Sequence, residues 1–355
     1  MFSPSEIFNQ ARLLLAGLGV FIIVLFLVTE RETKLSGWLP PLAAAFERAP
    51  AEQAMANQIA PLTSVMQPVG ADPLAAERLA AFNAGSALQE SVADGRVEYY
   101  RRAVGGGELF YSVVRLDERV HVEVINADGA TPGSDASGDT IWTDGGRHLQ
   151  PVAVMANAPY AARDGMELLW AMAFGFHGDA RTSNEGSVVI NGVVHRVNAG
   201  RGALCITPDQ RASIGKFDTE QLAGCTQAIG GGPVILWDGK IADPALTAPT
   251  DDRLPFNPLG EDFVQLDWRV KIYSGTYPKT AVCVGDLPDG RSFLVLAISS
   301  GVVGVDFAGA LRDMGCHSAL GGDDDTSTQA VWRGQPLWQR AQRPVPDALA
   351  VYVRS

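Results

Sequence analysis

The chain has 355 residues, 46% hydrophobic and 19% charged, which is enough apolar material for a sizeable core and too much for a disordered polymer. A formal charge of −12 and a pI near 4.9 exclude non-specific nucleic-acid binding, which recruits Lys and Arg patches that the sequence lacks. The same acidity excludes an anionic membrane surface as a partner of the main domain.

After a short tail of residues 1–12, the run "LLLAGLGVFIIVLFLVT" from Leu13 to Thr29 carries no charge. At about 1.5 Å per residue it spans most of a bilayer core of roughly 30 Å, with Arg12 and Arg31 placed to snorkel at its ends. The pattern predicts a single transmembrane helix over 13–29, with the lipid bilayer as its partner. A cleavable signal peptide is the competing assignment. The run is longer than a usual signal core, however, and "ERETKLSG" behind it offers no small-x-small site. Arg12 before the run and Arg31 and Lys34 after it leave the positive-inside count nearly balanced, so charge does not set the topology.

Residues 30–94 are rich in Ala and broken by Pro40, Pro41, Pro50, Pro61, Pro68 and Pro73. Proline interrupts helices, so short helices and extended links are expected, forming a stalk or docking arm. Its best helix is "DPLAAERLAAFNAG", with Asp72 as N-cap, Pro73 at the first helical position and Gly85 as the stop.

A main domain over 95–355 begins where "RVEYYRRAV", "ELFYSVVRL" and "RVHVEVINA" take up β alternation. His121 and Glu123 share one face of the third strand, as two ligands would, but a solvent-facing polar pair fits the same alternation. "PVAVMANAPY" predicts a buried strand ending in a turn, and "GMELLWAMAFGF" a short helix. "GSVVINGVVHRVNAG" predicts a hairpin about Asn191-Gly192, and "GGGPVILWDGK" a second about Asp238-Gly239. "SFLVLAISSGVVGV" reads as a buried strand pair, "DFAGALRDMG" as a helix capped by Asp306 and stopped by Gly315, and "RPVPDALAVYVRS" as a terminal strand. The order predicts an α+β domain of layered mixed β-sheets with few helices.

Cys205, Cys225, Cys283 and Cys316 lack the C-x-x-C spacing of zinc or redox sites. Two disulfides in an oxidising compartment and four buried thiols account for them equally well.

The stretch "ALGGDDDTSTQAVWRG", Ala319 to Gly334, sets three consecutive carboxylates between two glycines and three hydroxyls. Such a pattern fits a catalytic Asp323, a divalent cation held by Asp323, Asp324 and Asp325 with Ser327 or Thr328, or a capped turn with two solvated acids. No other cofactor is implied. Gly230-Gly231-Gly232 has the flexibility to cradle a phosphate, but without a following Lys-Ser or Lys-Thr pair it fits a turn before a strand. His177 in "FGFHGD" is a lone histidine and reads as structural.

Taken in order along Pro151 to Val353, these motifs resemble the phosphodiester glycosidase family. "VAVMANAPY" is similar to its strand ending in Asn-Gly-Gly-Phe or Tyr, "AIGGGPVILWDGK" to its Gly-Pro-x-Leu hairpin, and "YPKTAVCVGDLPDGRSFLVLAIS" to its Pro-Arg-Thr-Ala-x-Gly strand. "DFAGALRDMGCHSALGGDDDTSTQAVWRGQ" resembles its helix and glycine-rich Asp loop, and "RPVPDALAV" its closing strand. The resemblance implies catalytic roles for Asp323, Asn157 and Lys279, and substrate contacts from Ser327, Thr280 and Gly232.

Several positions depart from the family pattern. Ala158 and Pro159 replace two glycines after Asn157, Lys279 stands for an Arg, Cys283 for a Gly, and Asp324-Asp325 for a Gly-Gly pair. Added carboxylates repel a phosphodiester and raise one another's pKa, lysine lacks the bidentate fork, and proline lacks a backbone donor. The departures imply an eroded site, and hence an accessory or scaffold subunit that meets the other subunits of a membrane complex through the helix and the 30–94 arm. An active glycosidase acting on sugar-1-phosphodiesters of envelope glycans is the alternative. Family members act outside the cytoplasm. The resemblance therefore implies a single-pass inner-membrane protein with its domain in the periplasm, where disulfides Cys205–Cys225 and Cys283–Cys316 can form.

Overall fold

The computed structural model describes residues 75–130, 132–134, 140–142, 148–177, 185–262, 266–338 and 342–354. The expected transmembrane helix, the tail before it, Asp72 and the arm up to residue 74 lie outside the described residues. Among the described residues no helix is long and apolar enough to cross a membrane. All of them fall in one unit running from Pro68 to Ser355.

The helices are α1 (Ala75–Ala84), α2 (Val152–Ala156), α3 (Thr219–Leu222), α4 (Leu266–Ser274) and α5 (Gly304–Asp313). The strands of the first half are β1 (Ala87–Val92), β2 (Val97–Val104), β3 (Gly107–Arg115), β4 (Val120–Asn126), β5 (Pro132–Ser134), β6 (Thr140–Trp142), β7 (Met166–Ala173), β8 (Val188–Ile190), β9 (Val193–Arg196) and β10 (Gly202–Ile206). Those of the second half are β11 (Ala212–Lys216), β12 (Gln227–Gly230), β13 (Val234–Trp237), β14 (Lys240–Asp243), β15 (Arg253–Pro255), β16 (Lys279–Asp286), β17 (Ser292–Ser299), β18 (Ser318–Gly321), β19 (Ala330–Trp332), β20 (Gln335–Pro336) and β21 (Asp347–Arg354).

A nine-stranded sheet runs β1-β2-β3-β17-β16-β18-β13-β14-β15, with β14 and β15 parallel and its other pairs antiparallel. Two five-stranded sheets, β11-β10-β12-β8-β9 and β20-β19-β7-β21-β4, lie against one of its faces, and β5 and β6 form a separate hairpin. The period of two along β16 explains the layering. Val282 and Val284 enter the central core with Trp170, Leu204 and Val351 from the smaller sheets, whereas Ala281 and Cys283 meet Phe307 and Leu311 of α5 on the other face. The expected layered, strand-rich architecture is therefore present.

Helix α1 and strand β1 belong to this unit rather than to the arm. Leu79 and Phe82 are buried beside Tyr100 and Tyr111, and β1 pairs with β2 from Ala87 to Val92.

Two segments have exchanged the expected elements. "GMELLWAMAFGF", expected as a helix, forms β7 between β19 and β21. Its Trp170 and Met172 fill the central core while Ala171 and Ala173 face α2. Burial on both faces selects a strand here in spite of helix-forming residues. "PVAVMANAPY", expected as a strand, forms α2 and a turn of 3-10 helix over Pro159–Ala161. Val152 and Met155, three apart, are its buried residues, and Val154 is exposed. The segment "SFLVLAISSGVVGV" holds one strand, β17; Gly301 at φ +122° then turns the chain into α5, whose N-cap position is Val303, with Asp306 in the first turn. Both hairpins stand, β8–β9 about Asn191-Gly192 and β13–β14 about Asp238-Gly239.

Disulfides join Cys205 to Cys225 and Cys283 to Cys316, which removes the alternative of four buried thiols. They close separations of 20 and 33 residues, fixing β10 to the turn before β12 and β16 to the turn after α5. Replacing either pair by serine is expected to lower unfolding stability by about 3–4 kcal/mol, the chain-entropy value for loops of this size, measured by urea denaturation.

Candidate active site

Three strand ends meet beside Asp323. Strand β18 delivers Gly322 and Asp323, β7 delivers Phe174 to His177, and β16 begins at Lys279-Thr280. Pairing of Ala281 with Gly321 sets Thr280 beside Gly322, whose N–H donates to the Thr280 carbonyl at 2.9 Å. The Asp323 N–H donates to the Phe174 carbonyl at 2.7 Å, which ties the nine-stranded sheet to β7.

Asp323 is 6% exposed. One carboxylate oxygen, Oδ1, accepts from the Asp324 N–H at 3.1 Å, and the other, Oδ2, lies 3.3 Å from His177 Nδ1. The latter is not an aligned hydrogen bond, so Oδ2 has no hydrogen-bond donor among the described residues. Asp324, expected to be solvated, is partly enclosed. Burial, and then the neighbouring charge of Asp323, push its carboxyl up to about 8, against the pull of Arg269 and Lys279. Asp325 sits at φ +50° with its N–H on the Pro278 carbonyl.

Among the described residues no group of three or more His, Cys, Asp or Glu side chains is arranged to hold a metal ion. The cation site expected from Asp323, Asp324 and Asp325 is therefore not formed.

Lys279 is 3% exposed, and its Nζ donates to the carbonyls of Gly275 at 2.7 Å and Tyr277 at 2.8 Å. Burial lowers its pKa to about 8 in spite of the nearby charges of Asp324 and Asp325. The hydroxyls of Thr280, Ser327 and Thr328 are enclosed and have no hydrogen-bond partner among the described residues. Burying such groups costs stability unless something bonds them, so they mark a place for polar ligand atoms.

Two expected residues play other parts. Asn157 caps the end of α2, donating to the carbonyls of Ala153 and Gly334. Arg333, next to Gly334, bonds the Leu169 carbonyl, whereas Asp323 bonds that of Phe174, so Asn157 is placed toward the opposite end of β7 from Asp323. Gly232 is no phosphate cradle. The N–H groups of Gly230, Gly231 and Gly232 bond the carbonyls of Ser187, Gly202 and Gly321, and a Cβ on Gly231 would lie 2.4 Å from the Gly321 oxygen. These glycines permit close backbone approach that seats β13 against β18.

The sequence set His177 aside and passed over Arg269. His177 is 2% exposed at its side chain and faces Asp323. Arg269, on α4, lays its guanidinium carbon 3.5 Å above the Phe176 ring; burial lowers its pKa, and the charges of Asp323 and Asp324 oppose that. Arg201 flanks the same ring at 5.9 Å and pairs with Glu185 at 3.5 Å. Glu261, buried, accepts from the N–H groups of Gly202 and Val234, and burial raises its pKa. No spacing connects Arg269 to the acidic loop, and only the contact between the ends of β7 and β18, through the Asp323 N–H and the Phe174 carbonyl, reveals His177.

A model of the phosphodiester glycosidase family matches residues 167–352. The match takes in β7 and the acidic loop and leaves out Asn157. Among solved structures, a hypothetical protein from Synechocystis is similar over 73% of this chain, with a TM-score of 0.52 and 13% identity, and the chain spans 62% of that protein's length. The catalytic domain of zebrafish N-acetylglucosamine-1-phosphodiester alpha-N-acetylglucosaminidase, auto-inhibited by its pro-peptide, is similar over 76% of this chain and 82% of its own, with a TM-score of 0.48 and 16% identity. No curated protein matches the chain.

The pKa of Asp324 has a measurable consequence. Between pH about 4 and 8 the native carboxyl holds a proton that the unfolded one has lost, so this group makes stability fall as pH rises through that window. From about 8 to 10.5 Lys279 acts in the opposite sense, because the unfolded chain then binds the extra proton. Asp324→Asn is expected to flatten the fall between pH 4 and 8 in urea midpoints; curves parallel to wild type would contradict the assignment.

Proposed function

The chain belongs to the phosphodiester glycosidase family, and we propose that its domain is an extracytoplasmic hydrolase that releases a sugar from a sugar-1-phosphodiester, with Asp324 and Asp323 as its acid and base. The observation that carries this is the pairing of two adjacent acids in unlike surroundings. Asp324 is held protonated near neutral pH, and Asp323 presents Oδ2 beside His177, near enclosed hydroxyls that lack partners among the described residues. Asp324 gives its proton to the phosphate oxygen that leaves C1. Asp323 takes a proton from the water that attacks C1, and His177 stabilises the base. The products are the free sugar and a phosphomonoester.

The uncharged run over 13–29 supports a single-pass anchor in the inner membrane, and the two disulfides support a periplasmic domain. The Ala-rich, proline-interrupted residues 30–74 would supply a docking segment for other subunits.

One observation favours the second reading, in which the site is eroded and the protein is an accessory subunit. Every backbone N–H from Gly321 to Asp325 is bonded inside the protein, so the loop offers no main-chain cradle for a phosphate.

Incubation with a sugar-1-phosphate diester is expected to release free sugar, with the rate falling as pH rises through about 8. Asp323→Asn and Asp324→Asn should each lower kcat by about 10²–10⁴, the usual range for general acid–base groups. If no sugar appears and the intact protein purifies with partners that are lost on deleting Met1 to Leu35, the accessory reading replaces this one.

A further inference from the structure

Lys279 stands where the family pattern has an Arg, but its ammonium is spent on backbone. Nζ donates to the carbonyls of Gly275 at 2.7 Å and Tyr277 at 2.8 Å, and the residue is buried. Both acceptors lie just past Ser274, the last residue of α4, where carbonyls are left without intrahelical donors and a cation is favoured. From the other side, Lys279 opens β16 in register with Ser299, and its N–H donates to Ser299 Oγ at 3.2 Å. The side chain thus joins the end of α4 to the nine-stranded sheet. Its two chain neighbours hold the acidic loop. The Pro278 carbonyl accepts the Asp325 N–H at 2.9 Å, and the Thr280 carbonyl accepts the Gly322 N–H at 2.9 Å. Asp323 and Asp324 lie between those two bonds.

We infer that Lys279 is a positioning residue and not a substrate ligand: by closing the turn after α4, its ammonium sets the two flanking carbonyls from which the loop of Asp323 and Asp324 is suspended. Two acceptors explain why lysine serves here. A neutral amine keeps two N–H donors, so the turn stays closed on either side of the pKa near 8 that burial gives this side chain. A guanidinium is longer and planar, and does not fit where two carbonyls close on one nitrogen. The bearing of this on catalysis rests on the reading of Asp324 and Asp323 as acid and base; the suspension of the loop does not.

The test uses the full-length protein in mild detergent. The charges acting on the Asp324 carboxyl are Asp323 and Asp325 of the loop, Arg269 of α4 and Lys279 of β16, and Lys279 pulls its pKa down. Losing that charge alone would extend above pH 8 the range over which Asp324 makes stability fall. Losing the position acts in the opposite sense, because a loop released towards water gives up the burial that chiefly holds the proton. Lys279→Met is therefore expected to bring the upper end of the range, read from urea midpoints, down by about one pH unit or more. Lys279→Arg, with the charge kept, is expected to do the same. An upper end unmoved or raised in folded Lys279→Met would overturn the inference. If neither variant folds, acetylation of wild type by acetic anhydride at about pH 8 decides. Lys279 is expected to react more slowly than the exposed Lys216 and Lys271 by about tenfold or more, since reaction requires local opening, and inorganic phosphate is expected to make no difference. Labelling as fast as theirs, or slowed by phosphate, would refute the assignment. Hydrolysis is assayed separately: both variants are expected to lower kcat with KM changed by less than about twofold, whereas a phosphate-holding lysine would show a raised KM in Lys279→Met and be replaced well by arginine. A lowered pH range with no sugar release from any form sustains this inference and removes the hydrolase reading. Sugar release from wild type, with a raised KM and an unmoved range in Lys279→Met, does the reverse.

Discussion

The hydrogen bond from the Asp323 N–H to the Phe174 carbonyl fastens the end of one sheet to the end of another, and the arrangement of the site depends on it. For β18 to come that close, Gly322 must lack a side chain, because a Cβ there would lie 2.8 Å from the Phe174 oxygen. On the other edge of β18, Gly232 donates to the Gly321 carbonyl and Gly321 donates to that of Pro233. The glycines of "GGGP" and "LGGD" are thus explained by strand contact rather than by a bound anion. Their contact holds the start of the acidic loop between two sheets, where a side chain cannot relax into water.

Holding acids there is unfavourable for stability. Asp324 responds by keeping its proton, and Arg269 is drawn in as a counter-charge at the cost of its own hydration. Structural ion-pair networks also shift pKa values, so the shifts alone do not mark a site. The hydroxyls of Thr280, Ser327 and Thr328 separate the two cases, since a network built for stability would bond them. Ligand atoms that completed these bonds would give the cluster a purpose that packing does not.

Local patterns made much of the fold legible. The alternation over 97–126, the Asn-Gly and Asp-Gly turns and the amphipathic helix before Gly315 each reside within a few residues of the chain, and each appears in the structure. The segments 152–156 and 166–173 were exchanged because their state is set by neighbours. Strand β7 is a strand because β19 and β21 lie on either side of it, and α2 is too short to show a helical period. The error passed directly into the site. An Asn with an aromatic three residues on looked like the family's strand end at Asn157, while the strand that reaches Asp323 ends in Phe174-Gly175-Phe176-His177.

That displacement alters the argument for erosion. Ala158 and Pro159 no longer count as lost donors, because they lie on a helix end remote from Asp323. Nor do Asp324 and Asp325 add two full charges where the family pattern has glycine. Asp324 keeps its proton below about pH 8, Asp323 faces His177, and Asp325, at positive φ, bonds the Pro278 carbonyl through its N–H. Repulsion of a phosphodiester depends on ionisation, and ionisation depends on burial that the order of residues does not record. The loss of a main-chain cradle is the departure that survives. It is a loss that enclosed side-chain hydroxyls are chemically able to offset, since phosphate oxygens accept from side-chain donors as readily as from backbone amides.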